Sequence, residues 1–387
     1  MPLRFLTAGE SHGPSLSGIL EGFPSGVSLT STYINVQLQR RQQGHGRGER
    51  QKIEADAVEI VGGVRHGLTL GSPISLIISN RDFTAWRETM NAAPGQDDGK
   101  RAVQVPRPGL ADLVGGIKFG HDDMRNVLER SSARETAMRV AIGAVARRLL
   151  EDLGITVISH VVAIGGIKRE DSLTIPFGKI AAQADASRVR CVCDKTSARM
   201  VQEIDAASAR GDTLGGVFEV LALGLPLGLG SYVHWDKRLG AEIGRAFLGL
   251  NAIKGVEIGL GFAAADLPGS QVHDGIIPIP GVKRARPATN RSGGIDGGMT
   301  TGAPIVVRAA MKPIATMTKP LPSVNLTTGE VGPAHVERSD VCAVPAASVI
   351  GEALLALVLV NAILDKFGGD TLDELQARVD DWRRHTE

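Results

Sequence analysis

GGVRHGLTLGSPI at residues 62–74 aligns without a gap on GGIDGGMTTGAPI at residues 293–305, with glycine, threonine, proline and isoleucine recurring in step. A second match supports the first. Glu129-Arg130-Ser131 recurs as Glu337-Arg338-Ser339, and each copy precedes a long apolar helix bearing a glycine at the same offset, Gly143 and Gly351. Self-similarity of this kind marks an internal duplication. The two similar α/β halves are expected to pack as one body over residues 1–387, and the unequal spacing between the paired motifs points to an insertion in the first half.

Working outward, Leu3 to Thr7 reads as a strand entering the GESHG turn at residues 9–13. Thr30 or Ser31 is a candidate N-cap for a helix ending by Gly44, which leaves Arg40 and Arg41 in its last turn. From Asp123 to Leu153 apolar residues recur at helical spacing, through Val127, Leu128, Met138, Ile142, Val145 and Leu149, so one helix is predicted there, closed by Gly154. Strands are predicted over residues 155–162, 216–223 and 305–310, and a second long helix from about Pro345 to Phe367. Residues 79–100 are polar and aperiodic, with Pro94, Gly95, Asp97, Asp98 and Gly99, and read as a mobile insertion able to act as a lid.

Composition narrows the function classes. Lys and Arg number 43 and Asp and Glu 42, so no global field favours nucleic acid or a membrane surface. Cys191, Cys193 and Cys342 form no disulfide framework, and C-x-C without a second pair makes a poor zinc signature, so reduced thiols and no metal site are expected. The N-terminus lacks a signal-peptide layout, and the apolar run Ala353 to Val360, bounded by Glu352 and Asn361, is too short for a membrane span. A soluble cytoplasmic protein is the expectation.

Local concentrations of cation stand out against this neutral background. Arg107, Arg125, Arg130 and Arg134 share a short span with Ser131 and Ser132, and guanidinium forks fit carboxylates and phosphates. In one unbroken helix Arg130 and Arg134 fall on one face, where a bound anion offsets their repulsion. Arg41, Arg47 and Arg50 surround the glycines of GHGRGER and read as a small-anion loop; an RNA contact there lacks interleaved aromatics. His12 in GESHG is open to approach and suited to proton transfer, or is a structural turn histidine; the motif alone leaves both standing. Asp340 beside Arg338 suits a base, and taken alone reads more readily as a salt bridge. No P-loop is present, and GxGxxA at residues 259–264 is followed by Asp266, Pro268 and Gly269 where a dinucleotide fold needs a helix.

GESHG, GRGER, PRPG followed by Ala-Asp, RSSARET, NAIKGVEIG, RSGGIDGG, AAMKPIAT and ERSDVCAVPA together closely resemble the chorismate synthase family, in the family's order and across nearly the whole chain. The resemblance implies an α+β fold, a β-α-β sandwich with an internal pseudo-twofold duplication, assembled as a homotetramer. It implies conversion of 5-enolpyruvylshikimate 3-phosphate to chorismate and phosphate by anti 1,4-elimination, with reduced FMN required although the reaction is redox neutral. By position, His12 resembles the histidine that protonates reduced flavin, Asp340 the carboxylate that works with flavin N5, and Ser11 and Ser132 the relay serines. Arg130, Ser131, Ser132, Asn251, Ala252, Gly297, Lys312, Pro313, Ile314, Ala315, Thr316 and Arg338 match FMN-binding positions. Arg41 and Arg47 match positions for NADP, with NADPH as a reductant, while Arg50, Arg107 and Arg134 resemble substrate contacts. One departure accompanies the match: where the family has histidine after PRPG, this chain has Leu110, which moves no proton, and His121 lies eleven positions along. The competing reading from the same arginine-rich pocket is an FMN- and NADPH-dependent oxidoreductase.

Overall fold

The computed structural model describes residues 2–48, 53–94, 99–170, 176–281, 284–337 and 339–386. Strands β1 (Arg4–Ala8), β2 (Ser15–Glu21), β3 (Val58–Gly62) and β6 (Ile74–Ser79) form one antiparallel sheet in the order β1-β2-β6-β3, with the hairpin β4 (Val64–Arg65) and β5 (Leu68–Thr69) beside it. The second sheet runs β10-β15-β9-β7-β8, also antiparallel, from β7 (Thr156–Ile164), β8 (Ile167–Lys168), β9 (Gly216–Leu223), β10 (Ile253–Ile258) and β15 (Ile305–Met311). Between β10 and β15 lie two hairpins, β11 (Ile276–Pro278) with β12 (Ala285–Pro287) and β13 (Ile295–Asp296) with β14 (Met299–Thr300).

Among the described residues the helices of seven residues or more are α1 (Ser31–Gln42), α2 (Asp112–Phe119), α3 (Arg125–Ser131), α4 (Thr136–Asp152), α5 (Phe177–Ala186), α6 (Asp194–Ala209), α7 (Leu239–Leu248), α8 (Val344–Phe367) and α9 (Leu372–Thr386). Helix α4 packs on the first sheet, α8 on β7 and β9 of the second, and the two helices pack on each other. The result is a sheet-helix-sheet sandwich. Its apolar cluster runs unbroken from Leu16 and Ile78 through Val145 and Leu359 to Phe218 and Ile305. Helix α8 is apolar on nearly all sides because it has neighbours on nearly all sides. It is long and apolar enough to cross a membrane, yet 83% of its most apolar window is buried inside the protein.

The duplication is visible in the backbone. Strand order β1-β2-β6-β3 repeats as β7-β9-β15-β10, and the small hairpins β4–β5 and β13–β14 fall at identical places within the two aligned copies. Thr69 Oγ1 donates to Pro24 O at 2.7 Å and accepts from Val27 N at 3.0 Å. Thr300 Oγ1 makes the matching pair, to Pro226 O at 2.7 Å and from Leu229 N at 2.8 Å. Gly63 and Gly294 share φ of +82° and +80°, and a Cβ on either would lie 2.5–2.6 Å from the carbonyl oxygen of Pro73 or Pro304, so both copies need glycine there.

Helix α1 starts where expected, with Thr30 Oγ1 accepting from Tyr33 N at 3.2 Å. The single helix predicted over 123–153 is corrected. It breaks at Ser132, whose backbone is extended and whose side chain caps Arg134 N at 3.3 Å; one 3-10 turn over Ala133–Glu135 leads into α4. The apolar stripe continues in phase across the break, so periodicity alone did not reveal it. The consequence falls on the arginines: Arg130 is exposed on one side, whereas Arg134 turns inward and is 7% exposed.

Candidate active site

A cavity of about 550 Å³ lies where α4, β10, β15 and the N-terminus of α8 meet the loops after β1 and α1. Its size falls within the range of small-molecule sites, and Leu128, Leu250, Ala252, Ala347 and Ile350 supply an apolar wall. The lining includes Ser11, His12, Arg41, Arg47, Arg107, Ser131, Ser132, Arg134, Asn251, Ala252, the run Lys312 to Thr316, and Asp340. Sequence-distant motifs from both halves therefore meet at one concave surface.

His12 is 5% exposed. Its backbone N–H donates to Glu129 Oε2 at 2.7 Å, and its Nδ1 lies 2.8 Å from Oε1 of the same carboxylate. Trp86 stacks on the imidazole, with ring centroids 3.9 Å apart and planes 19° from parallel. The indole is itself flanked by the guanidinium groups of Arg101 and Arg125, 3.9 and 5.0 Å from its centroid. The segment expected to be an aperiodic insertion thus carries a 3-10 helix, Arg81–Ala85, and packs Trp86 against the candidate proton carrier. Residues 95–98 lie outside the described residues. Behind His12, Ser132 Oγ donates to Ser11 Oγ at 3.1 Å, which joins the two expected relay serines.

Asp340 is held by the glycine loop of the other half. Arg47 Nη1 lies 2.8 Å from Oδ2, and Gly48 N donates to Oδ1 at 2.6 Å. Gly48 must be glycine, since a Cβ there would stand 2.8 Å from Ser339 O. The loop backbone is thus itself an anchor for Asp340.

The arginines expected to form an anion site are each also tied to protein acceptors. Arg107 grips Asp112 through Nε at 2.8 Å and Nη2 at 2.9 Å, and donates to Thr316 Oγ1 at 3.3 Å. Arg134 pairs with Asp56 at 2.5 Å and donates Nε to Asn80 Oδ1 at 2.9 Å. Arg41 is 4% exposed and donates to Thr136 Oγ1 at 3.1 and 3.0 Å and to Ala133 O at 3.1 Å, supporting the entry into α4. Burial lowers its pKa to about 10, Asp56 opposing this while the nearby Arg47 and Arg134 add to it. Among the described residues, Arg47 Nε and Arg134 Nη2 are buried without a hydrogen-bond partner, the latter lying 3.6 Å from Glu54 Oε2 in an ion pair. Buried orphan donors beside a cavity fit an acceptor-rich guest, and the surrounding apolar wall fits an aromatic one, so the residues present suit a flavin phosphate and an anionic substrate.

Asn251 Nδ2 donates to Ser131 O at 2.9 Å, and Ala252, in a left-handed conformation with φ of +66°, accepts from Lys312 N at 2.9 Å. Strained backbone of this kind persists where the surroundings hold it, often at binding sites. Leu110 lines the cavity beside Gly109, whose carbonyl accepts from Lys312 Nζ. His121 sits near Phe119 and is not among the lining residues. Two expected FMN positions lie elsewhere: Arg130 turns to β1, donating to Gly9 O at 3.1 Å and Thr7 O at 2.9 Å, and Gly297 sits in the β13–β14 turn. Arg50 and Arg338 fall outside the described residues. Sequence reasoning assigns no role to Glu129, Asp112, Asp56 or Trp86, although Glu129 and Asp112 lie within motifs it quotes.

A family model for chorismate synthase matches residues 3–364. The chain belongs to the chorismate synthase family. The chorismate synthase of Geobacillus thermodenitrificans is 53% identical over 99% of this chain and 99% of its own length. That of Bacillus cytotoxicus is 51% identical over 100% of this chain and 99% of its own. A crystal structure of a chorismate synthase superposes with a TM-score of 0.80 at 42% identity, covering 100% of this chain and 98% of that one. The enzyme is accordingly a lyase of the shikimate pathway that converts 5-enolpyruvylshikimate 3-phosphate to chorismate and phosphate. This membership sets aside the ordinary oxidoreductase read as its competitor.

Proposed function

We propose that the elimination takes place in the 550 Å³ cavity with reduced FMN as its helper, and that His12 and Asp340 are the proton-handling groups. The carrying observation is that these two side chains, one from each half, line the same cavity. Reduced FMN, when bound, would supply transient electron donation that helps phosphate leave, because phosphate is not an exceptional leaving group and the C6 hydrogen is not acidic enough to drive its departure. His12 exchanges a proton through its imidazole, Ser132 and Ser11 relay it, and Asp340, steadied by Arg47 and Gly48, assists removal of the hydrogen. Ser131, Ser132, Asn251, Ala252 and residues 312–316 hold the flavin. Arg47 and Arg134, whose Nε and Nη2 make no hydrogen bond to the described residues, meet the substrate's carboxylates and phosphate with Arg107 behind them. Trp86 and its segment act as the lid over His12.

NADPH serves as the reductant, and the protein works in the cytoplasm as a single-domain chain assembled into a homotetramer. Large apolar side chains left in solvent, such as Trp235 at 73%, Ile276 at 79% and Val331 at 78%, support assembly. In an anaerobic assay with chemically reduced FMN, His12→Ala and Asp340→Asn should each lower chorismate formation by about 100-fold or more, the scale of a positioned proton-transfer group. FMN binding, read by flavin fluorescence, should persist. Wild-type turnover by either variant contradicts the assignment.

A further inference from the structure

Glu129 has no role in the assignments above, yet its carboxylate is wrapped around both the backbone and the ring of His12. Its side chain is 1% exposed. Its Oε2 accepts the His12 backbone N–H at 2.7 Å, and Oε1 and Oε2 lie 2.8 and 3.0 Å from His12 Nδ1. Its own backbone carbonyl accepts Ser11 N at 2.9 Å, so Glu129 fixes the turn on which Ser11 and His12 sit. Arg125 Nη1 lies 3.4 Å from Oε1 and 2.8 Å from Glu337 Oε1. Glu337 is the counterpart of Glu129 in the second repeat, so one arginine joins the two copies of the same residue. Burial pushes the Glu337 carboxyl up, but the His335 hydrogen bond and Arg125 outweigh it and hold it at about 2, which keeps the far end of this bridge charged.

We infer that Glu129 is a positioning residue that fixes the tautomer and the orientation of His12. A carboxylate has only acceptors, so the Nδ1 it faces must carry the hydrogen. On the other side of the ring the buried Asp82 Oδ2 lies 3.9 Å from Nε2, beyond hydrogen-bond reach, so the closer Glu129 decides the tautomer and in the neutral ring Nε2 is the nitrogen that accepts a proton. Trp86 blocks rotation on one face of the ring, and the bidentate grip of Glu129 on both backbone and ring removes the remaining freedom. Orientation of an imidazole by a buried carboxylate is the general means by which a histidine base is held in its working tautomer. The inference rests on the reading of His12 as a proton carrier.

Glu129→Gln tests it with almost no change of shape. The His12 backbone N–H still requires an acceptor, so the amide oxygen of the substituted side chain stays with it and the new NH₂ group faces Nδ1. That group only donates, which reverses the tautomer and puts the hydrogen on Nε2. With histidine-labelled full-length protein at a pH well above the imidazole range, ¹⁵N spectra should show hydrogen on Nδ1 of His12 in the wild type and on Nε2 in the variant. The His12 signal is identified as the one missing in His12→Ala. In the anaerobic assay with reduced FMN, kcat of Glu129→Gln should fall by about 100-fold with KM for substrate nearly unchanged. If wild-type His12 carries its hydrogen on Nε2, or if Glu129→Gln turns over normally while His12→Ala is impaired, the role of Glu129 is overturned. Normal turnover by His12→Ala would instead remove the assignment of His12 itself. The wild-type spectrum decides the tautomer even if the variant fails to fold.

Discussion

A single departure from the family pattern makes the sharpest demand on residue-scale reasoning. Leu110 contributes an apolar side chain to a cavity wall where the family supplies an imidazole, and a positioned proton donor is worth about 100- to 10,000-fold in rate. Slow turnover is the expected consequence, and Leu110→His should raise kcat with little change in flavin affinity; equal rates for the two proteins in the anaerobic assay would contradict this. Other residues were readable in advance to differing degrees. His12 and Asp340 were legible because short motifs of unusual composition bracket them. The arginines were legible as cations but not as partners, because Asp112, Asp56 and Thr316 lie at no sequence spacing that reveals a pairing. Glu129 was hidden by its position in an ordinary helix, where a glutamate is most often a solvated residue.

At the level of elements, helix crossings and breaks carry the geometry. Helices α4 and α8 approach so closely that a Cβ on Gly143 would lie 2.3 Å from the Ala353 Cβ. Gly143→Ala should therefore destabilise by about 1–3 kcal/mol, from overpacking at the contact between the two helices. Urea denaturation would measure it; an unchanged midpoint would show that the helices can part without cost. Thr30→Ala removes the cap of α1 and should cost about 1 kcal/mol in the same measurement. Strands β9 and β15 and helix α8 matched their predicted spans closely, since long apolar runs bounded by proline and glycine leave little latitude. The break at Ser132 escaped notice because its cause is one extended residue with a hydroxyl cap, a signal far weaker than the apolar stripe running through it.

Across the whole molecule, the duplication was readable from thirteen aligned residues because glycine and proline positions are dictated by backbone conformation and so survive when side chains diverge. What the repeat could not reveal is the charge buried between the halves. Glu352, 2% exposed in the middle of α8, accepts from Arg40 at 2.7 and 2.9 Å, Arg147 at 2.6 Å and Ser159 at 2.6 Å, with Arg190 3.4 Å away. Burial raises its pKa, but Arg40, Arg147 and Arg190 outweigh this and bring it from 4.5 to about 2. A folded-state pKa below the unfolded value adds stability above pH 4.5 that is lost as pH falls toward 2. Glu352→Gln should flatten that acid limb and, by leaving the arginines uncompensated, cost about 3–5 kcal/mol near neutrality. An acid limb as steep as the wild type's would contradict the role assigned to this cluster. The central claim concerns what the two halves accomplish together, and one reaction mixture tests it: protein, chemically reduced FMN and 5-enolpyruvylshikimate 3-phosphate under nitrogen, with phosphate, chorismate and flavin absorbance followed together. The account predicts equal amounts of phosphate and chorismate with no net flavin oxidation and no product when the flavin is left out; product formed without flavin, or only with stoichiometric flavin oxidation, would contradict it.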